Sequence, residues 1–295
     1  MANSFGGISL TTIGDKALAI VKRKVGPLKA YTTDFSDEFM APGQSAITTR
    51  LWSSKTARTF TSSDTSYTRD DSTSTAVTVT PNILYNKADI NELAASGSPV
   101  RLEDELAMVG AESIVAGAFS AINALVLNAT YAQKVTATVA NFGFDDIVSA
   151  RSTIIAGGLG GDGLHTVVSA AGYASLLGST TVYPQIQADS MGSGNIVAEF
   201  PGLGKVYEVA TVAANAENLY GWTAGRDAFA LVARQPRIPK GFHGDVYTAV
   251  DSETGLSIQV RSWFDADNGL DKLWVGSLFG ASAGRAASLV RYVTA

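Results

Sequence analysis

The spacing of apolar and polar positions divides the chain into a polar opening third and a strand-rich remainder. Residues 13–29 carry Ala17, Leu18, Ile20, Val21 and Val25 in a weak helical stripe that Gly26-Pro27 closes. Residues 31–43 are acidic, with Asp34, Asp37 and Glu38, and lead through Pro42-Gly43 into an unusual segment. From Ser45 to Thr80, 19 of 36 residues are Ser or Thr, too polar a stretch to form a core of its own. Residues 46–51 alternate outward and residues 75–80 alternate back, with turn-prone Ser62-Ser63-Asp64 and Arg69-Asp70-Asp71-Ser72 between them. The pattern predicts an extended hairpin that is rich in β-branched Thr and lies on something else.

Beyond it the period becomes helical. Ser98 suits an N-cap and Pro99 the first helical position, and Glu103, Asp104 and Glu105 follow at the positive end of the dipole. Leu102, Leu106, Val109, Val115, Phe119, Ile122 and Val126 recur at three and four. A helix running to about Thr130 is predicted, roughly 45 Å long at 1.5 Å per residue. A second helix is predicted over 142–157, stopped by Gly157-Gly158, then a strand over 165–169 and a short helix over 170–177. Residues 184–194 read as a polar loop, and 205–211, 219–222 and 228–232 as strands of a mixed lobe. From Gly244 the pattern is β: strands over 245–250, 256–264, 273–279 and 287–293 predict a terminal antiparallel sheet. The fold class is α+β, with no repeat of solenoid length.

Composition sharpens this. With 295 residues and 46% apolar content the chain can bury a sizeable core or two linked lobes. Charged residues make up 17%, below the usual quarter, which fits a surface covered by other chains. No cysteine is present, which excludes disulfides and thiolate metal sites. A net charge of −5 argues against a dedicated nucleic-acid reader, though not against enclosing nucleic acid without gripping it. Residues 1–10 show no basic segment followed by an apolar run, so no signal peptide is read there and a reducing cytosol is the expected compartment. Residues 107–127 are nearly apolar, but Glu112 and the small Ala and Gly residues fit a packed helix better than a membrane span, and no membrane partner is expected.

Candidate chemistry is thin. Gly280-Ala281-Ser282-Ala283-Gly284 matches a nucleophile elbow, but an acid and then a histidine must follow the serine, and His165 and His243 both precede it. A flexible turn between strands is the plainer reading. The glycines of 157–163 follow a helix, where a dinucleotide loop must open one, and Gly204-Lys205 continues with Val206 where a phosphate loop needs Ser or Thr. No enzyme and no cofactor are expected. The basic residues Lys16, Lys22, Arg23, Lys24 and Lys29 read either as an arm for a neighbour or polyanion, or as a solvated helix face.

The order of parts carries a resemblance. Residues 31–39 with Pro42-Gly43, Val79-Thr80-Pro81 into Tyr85-Asn86-Lys87, Ala88 to Leu93, Val100 to Tyr131, and Arg226-Asp227-Ala228-Phe229-Ala230-Leu231 together resemble the major capsid protein of tailed double-stranded DNA bacteriophages, with the Hong Kong 97-type fold. That resemblance implies an N-terminal arm (1–41), an extended loop (42–84), a peripheral domain with a spine helix (85–141), an axial domain (142–239) and a return to the peripheral domain (240–295). It implies a structural, self-assembling shell of pentamers and hexamers enclosing double-stranded DNA, in the virion capsid and built in the host cytoplasm. Inter-subunit contacts are then expected from Trp52, Lys55, Arg58, Phe60, Tyr67 and Arg69 of the hairpin. An axial tip is expected at Gln185, Gln187, Asp189 and Met191, and arm contacts to a neighbour or to DNA at Lys22, Arg23 and Lys24. A portal is implied, and residues 1–41 leave no room for a fused scaffolding segment, so a separate scaffolding protein is expected. Some relatives join subunits by a Lys–Asn bond; Lys55 and Asn268 would be the pair, and no such bond is expected here. A cellular nanocompartment shell of the same fold and a secreted Ser/Thr-rich adhesin are the alternative classes, the second disfavoured by the missing signal peptide.

Overall fold

The computed structural model describes residues 11, 13–19, 28, 32–34, 46–52, 59–61, 66, 73–91, 102–158, 163–178, 196–200, 204–209, 212, 217–250 and 257–294. In chain order the elements are β1 (Thr32–Asp34), β2 (Ile47–Trp52), β3 (Ser74–Val79), β4 (Asn82–Asn91), α1 (Leu102–Asn123), β5 (Lys134–Thr136), α2 (Phe144–Ala156), β6 (His165–Ser169), α3 (Ala170–Gly178), β7 (Ile196–Phe200), β8 (Gly204–Val209), β9 (Leu219–Ala224), β10 (Phe229–Arg234), β11 (Asp245–Val250), β12 (Ser257–Asp265), β13 (Leu270–Ala283) and β14 (Leu289–Val293). Single 3₁₀ turns lie at Val139–Asn141 and Ala286–Ser288.

Two sheets and one ribbon result. The first sheet runs β1-β10-β13-β12-β11, with β4 also paired to β13. The fourteen-residue β13 holds it together: Gly276 to Leu270 pair with β12, Leu278 to Ala283 with β10, and Leu270 to Phe279 with β4. The second sheet runs β5-β14-β9-β6-β8-β7, and β2 with β3 form the two-stranded ribbon.

Helix α1 packs along the first sheet. Its Ala107, Ala111, Ile114, Ala118 and Ile122 are buried, whereas Val109 on the other side is 57% exposed. Small residues set the distance between helix and sheet: a Cβ at Gly110 would lie 3.2 Å from Val275 on β13. Ile258, Val260, Leu273 and Val275 of the sheet complete this core. A second cluster, including Phe142, Ile147, Ile154, Val168, Tyr220 and Tyr292, lies under α2 and α3. Asp146 begins α2 by accepting the Gly143 amide at 3.0 Å, and Gly158, at φ 81°, follows its end.

Several expectations are met: strands 165–169 and 245–250, the helix over 142–157 and the turn at 265–269, where Gly269 (φ 62°) donates its amide to the Asp265 carbonyl at 2.8 Å. Others are corrected. Helix α1 ends at Asn123, seven residues before the expected Thr130, giving 22 residues and about 33 Å. Short i−3 bonds from Leu125 and Val126 tighten the end, and the Asn128 amide is then captured by Glu217 at 2.8–2.9 Å. The terminal sheet is not one sheet: β11, β12 and β13 belong to the first, whereas β14 crosses to the second and pairs with β9 and β5. Strand β10, expected with the axial lobe, pairs with β13 in the first sheet, so a division at 239/240 separates strands of one sheet. Strands β1, β4, β5 and β7 were not expected. The glycine-flanked Ser282 lies in β13, opposite Ala230, and not in a flexible turn. Its glycines serve close backbone approach: a Cβ at Gly280 would meet Pro81 at 2.8 Å, and one at Gly284 the Asp227 carbonyl at 2.3 Å.

Candidate assembly surfaces

The two strands of the hairpin pair as the sequence predicts, and the turn-prone residues 62–64 and 69–72 lie outside the described residues. Strands β2 and β3 pair from Ile47↔Val79 to Trp52↔Ser74. Ile47, Val77 and Val79 turn inward and pack with Ala230 and Val232 of β10, with Leu51 alongside. The outward positions stay polar: Thr48 and Thr78 share a hydroxyl hydrogen bond at 3.0 Å, and Arg50 donates to Ser74 at 3.4 Å. Among the described residues of the hairpin, only those at the root have a core, and burial ends before the ribbon does. At its far end Trp52 is 57% exposed, and Phe60 beyond it is 50% exposed. The Trp52 carbonyl accepts a hydrogen bond from Arg285, which follows β13.

Of the contact candidates, Trp52 and Phe60 are thus placed on the surface. Lys55, Arg58, Tyr67 and Arg69, the axial candidates Gln185, Gln187, Asp189 and Met191, and the arm candidates Lys22, Arg23 and Lys24 lie outside the described residues. Ser98 and Pro99 do too. Asn268 is described: its side-chain amide donates to Asp265 at 2.9 Å.

Residues 13–19 form a helical stretch held by the chain's own body. Ile13 and Ala17 join the core beside α1. Lys16 pairs with Asp104 in the first turn of α1, and the Tyr247 hydroxyl donates to Asp15 at 2.7 Å. That bond, with burial and the negative charge of Asp15, raises the Tyr247 pKa. Gly14 lies so near Tyr247 that a Cβ would fall 2.0 Å from its ring. This part of the arm, read as a cationic contact or a solvated face, is therefore anchored at both sides within its own subunit.

A buried cation fastens the second sheet. Arg291 on β14 is 2% exposed and donates to the Tyr131 carbonyl at 2.6 Å, to Asn128 at 2.6 Å and to the Glu217 carboxylate. It gathers the turn after α1, the start of β9 and the last strand. The Tyr131 hydroxyl donates to the Ala228 carbonyl at 2.5 Å, and burial drives its pKa upward. Sequence reading missed Arg291 because its partners are 74, 160 and 163 positions away.

Apolar side chains also face outward on α2 and β4. On α2, Val148 is 41% and Ile155 39% exposed, seven residues apart and so on one helix face. On β4, Ile83 is 52% and Tyr85 64% exposed. By length and composition α1 would also pass as a membrane-crossing helix, but it is packed on the sheet. Among the described residues no three His, Cys, Asp or Glu side chains gather as a metal site.

Known structures share this arrangement. A cyanophage P-SCSP1u capsid structure matches with TM-score 0.59 and 11% identity, over 91% of this chain and 87% of that one. A Mycobacterium phage Che8 structure matches with TM-score 0.55 and 15% identity, over 94% and 90%. The cyanophage Pam1 capsid asymmetric unit matches with TM-score 0.56 and 11% identity, over 92% and 93%. No family model matches the sequence, and no curated protein matches it. The chain has the α+β fold of phage capsid proteins, the Hong Kong 97-type fold.

Proposed function

We propose that this chain is the major capsid protein of a tailed double-stranded DNA phage, a structural subunit that assembles with copies of itself into an icosahedral shell. The observation that carries the reading is the hairpin, whose described residues have a core only at the root and expose Trp52 and Phe60 beyond it. An element of that kind gains its order by docking on a partner. The shared fold over nine-tenths of three phage structures supports the same reading. The exposed ridge of Val148 and Ile155 offers a contact to symmetry mates in pentamers and hexamers.

The reading implies a portal, a separate scaffolding protein and packaged double-stranded DNA as partners, with the shell built in the host cytoplasm and kept in the virion. The net charge of −5 fits DNA enclosed without base-specific contact. It implies no catalysis, and Ser282, fixed inside a strand, supports none. Negative-stain electron microscopy of the purified chain, alone and with co-expressed scaffold, tests the proposal. Closed particles with five- and six-membered clusters are expected; a monomer under both conditions would overturn it.

A further inference from the structure

Asn268 and Gly269 are the only Asn-Gly pair in the chain. They lie in the four-residue turn between β12 and β13, which closes where Asp265 pairs with Leu270. Both are exposed. Gly269 has a left-handed backbone at φ 62°, and a Cβ there would meet no atom within 4 Å. Water therefore reaches the peptide bond between the two residues, and no side chain shields its nitrogen. Asparagine is thermolabile, because the next main-chain nitrogen can displace its side-chain amide. A following glycine, with no Cβ, hinders that attack least.

Two hydrogen bonds oppose the attack, and both end on Asp265. The Gly269 amide, the nitrogen that would attack, donates to the Asp265 carbonyl at 2.8 Å. The Asn268 side-chain amide, the group that would leave, donates to the Asp265 carboxylate at 2.9 Å. That carboxylate is itself held by Lys272 and by the Asp267 amide, which donates at 3.2 Å. We propose that Asn268 is a site of spontaneous deamidation and that Asp265 sets its rate. The Gly269 nitrogen gives up its proton to solvent base and bonds to Cγ of Asn268. The Cγ–Nδ2 bond breaks, and the amide leaves as ammonia. Water then opens the cyclic imide at either carbonyl, to aspartate or to isoaspartate. The net change is one water taken up and one ammonia lost, with nothing oxidised or reduced.

The product weakens its own turn. A carboxylate replaces the donor that Asp265 had, and the two like charges compete for Lys272. Isoaspartate also lengthens the backbone within a turn whose length fixes the register of β12 on β13. The net charge moves from −5 to −6, one neutral amide having become a carboxylate. Each event is permanent, so the turn records the age of the chain. This chemistry needs no second copy and does not rest on the shell reading.

The test follows the tryptic peptide of residues 262–272 by mass spectrometry and by an isoaspartate methyltransferase assay. The full chain is incubated in mildly alkaline buffer, beside the same peptide released before incubation. The free peptide lacks the folded turn, and the intact chain should convert about fivefold more slowly or less, the rate factor of one ordinary hydrogen bond. Asp265→Ala in the full chain should recover about that factor. Asn268→Gln should yield no product, since its longer side chain does not close the same ring. The comparison of intact chain with free peptide needs no variant, so it stands whether or not Asp265→Ala folds. Conversion of the intact chain at the free peptide's rate would overturn the proposal. So would an Asp265→Ala rate equal to that of the wild type, or no product in either chain once the free peptide has fully converted.

Discussion

Arg285 donates from its guanidinium to the main-chain carbonyl of Trp52, 2.6 Å away. Its own amide donates to the Asp227 carbonyl at 2.8 Å, in the turn that leads from β13 in the first sheet toward β14 in the second. One side chain thus fixes the direction in which the hairpin leaves the body. The bond is exposed, so its contribution to global stability is below about 1 kcal/mol. Arg285→Ala should leave the melting temperature nearly unchanged while hydrogen exchange quickens at the amides of residues 50–52 and 74–76. Unchanged exchange there would show that the packing of Ile47, Val77 and Val79 suffices to aim the ribbon.

Arg291 is the opposite case, a buried cation with three partners. Replacing it by Met removes the charge and strands the Tyr131 carbonyl and the Asn128 side chain. A loss of about 3–5 kcal/mol is expected by urea denaturation. Glu217→Gln should cost about 1 kcal/mol, since Glu217 is 27% exposed and its amide still accepts a hydrogen bond. Equal costs for the two variants would mean that the ion pair, and not the neutral carbonyl contacts, dominates.

Gly204 opens β8 at φ 75°, and a Cβ there would fall 1.6 Å from the Leu164 carbonyl oxygen. Gly158 has a similar φ of 81° with open space around it. Gly158→Ala should cost about 1–2 kcal/mol, from the left-handed backbone alone. Gly204→Ala adds a backbone clash that cannot be relieved by a rotamer and should cost about 3 kcal/mol or more. Thermal melts of the two variants separate strain from contact.

Asp265 closes the β12–β13 turn. It pairs with Lys272 and accepts from Asn268 at 2.9 Å and from the Asp267 amide at 3.2 Å. The hydrogen bond from Lys272, first among these, holds its carboxyl down to about 2. An unfolded aspartate titrates near 3.9. The folded value is depressed, so the contribution is complete above about pH 4 and is lost as the pH falls through about 2. Amide exchange at Gly269 should stay slow down to that range and quicken below it. In Asp265→Asn it should be faster at pH 7 and lose this acid step.

Much of the fold was legible because its signals are local. The Thr-rich alternation of residues 46–51 and 75–80, the glycines after α2 and the turn chemistry at 265–269 each predict an element that is present. Partner choice between strands was not legible. Nothing within residues 289–293 says that Arg291 will be met by Glu217 and Tyr131, or that β14 will pair with β9 and β5 in the second sheet. The apparent helix past Asn123 kept its apolar period into Val126, but capture of the Asn128 amide by Glu217 overrode it. Tyr85, Arg261 and Trp274 come together only through the registers of β4 and β12 on β13.

The central claim is that this subunit buries its hairpin against copies of itself. Sedimentation velocity of the full chain, compared with a variant lacking residues 53–73, tests it most directly. The account predicts pentamers, hexamers or larger particles for the full chain, and a monomer with unchanged circular dichroism in the strand and helix bands for the variant. A full chain that sediments as a monomer at high concentration, or a variant that assembles as well as the full chain, would contradict it.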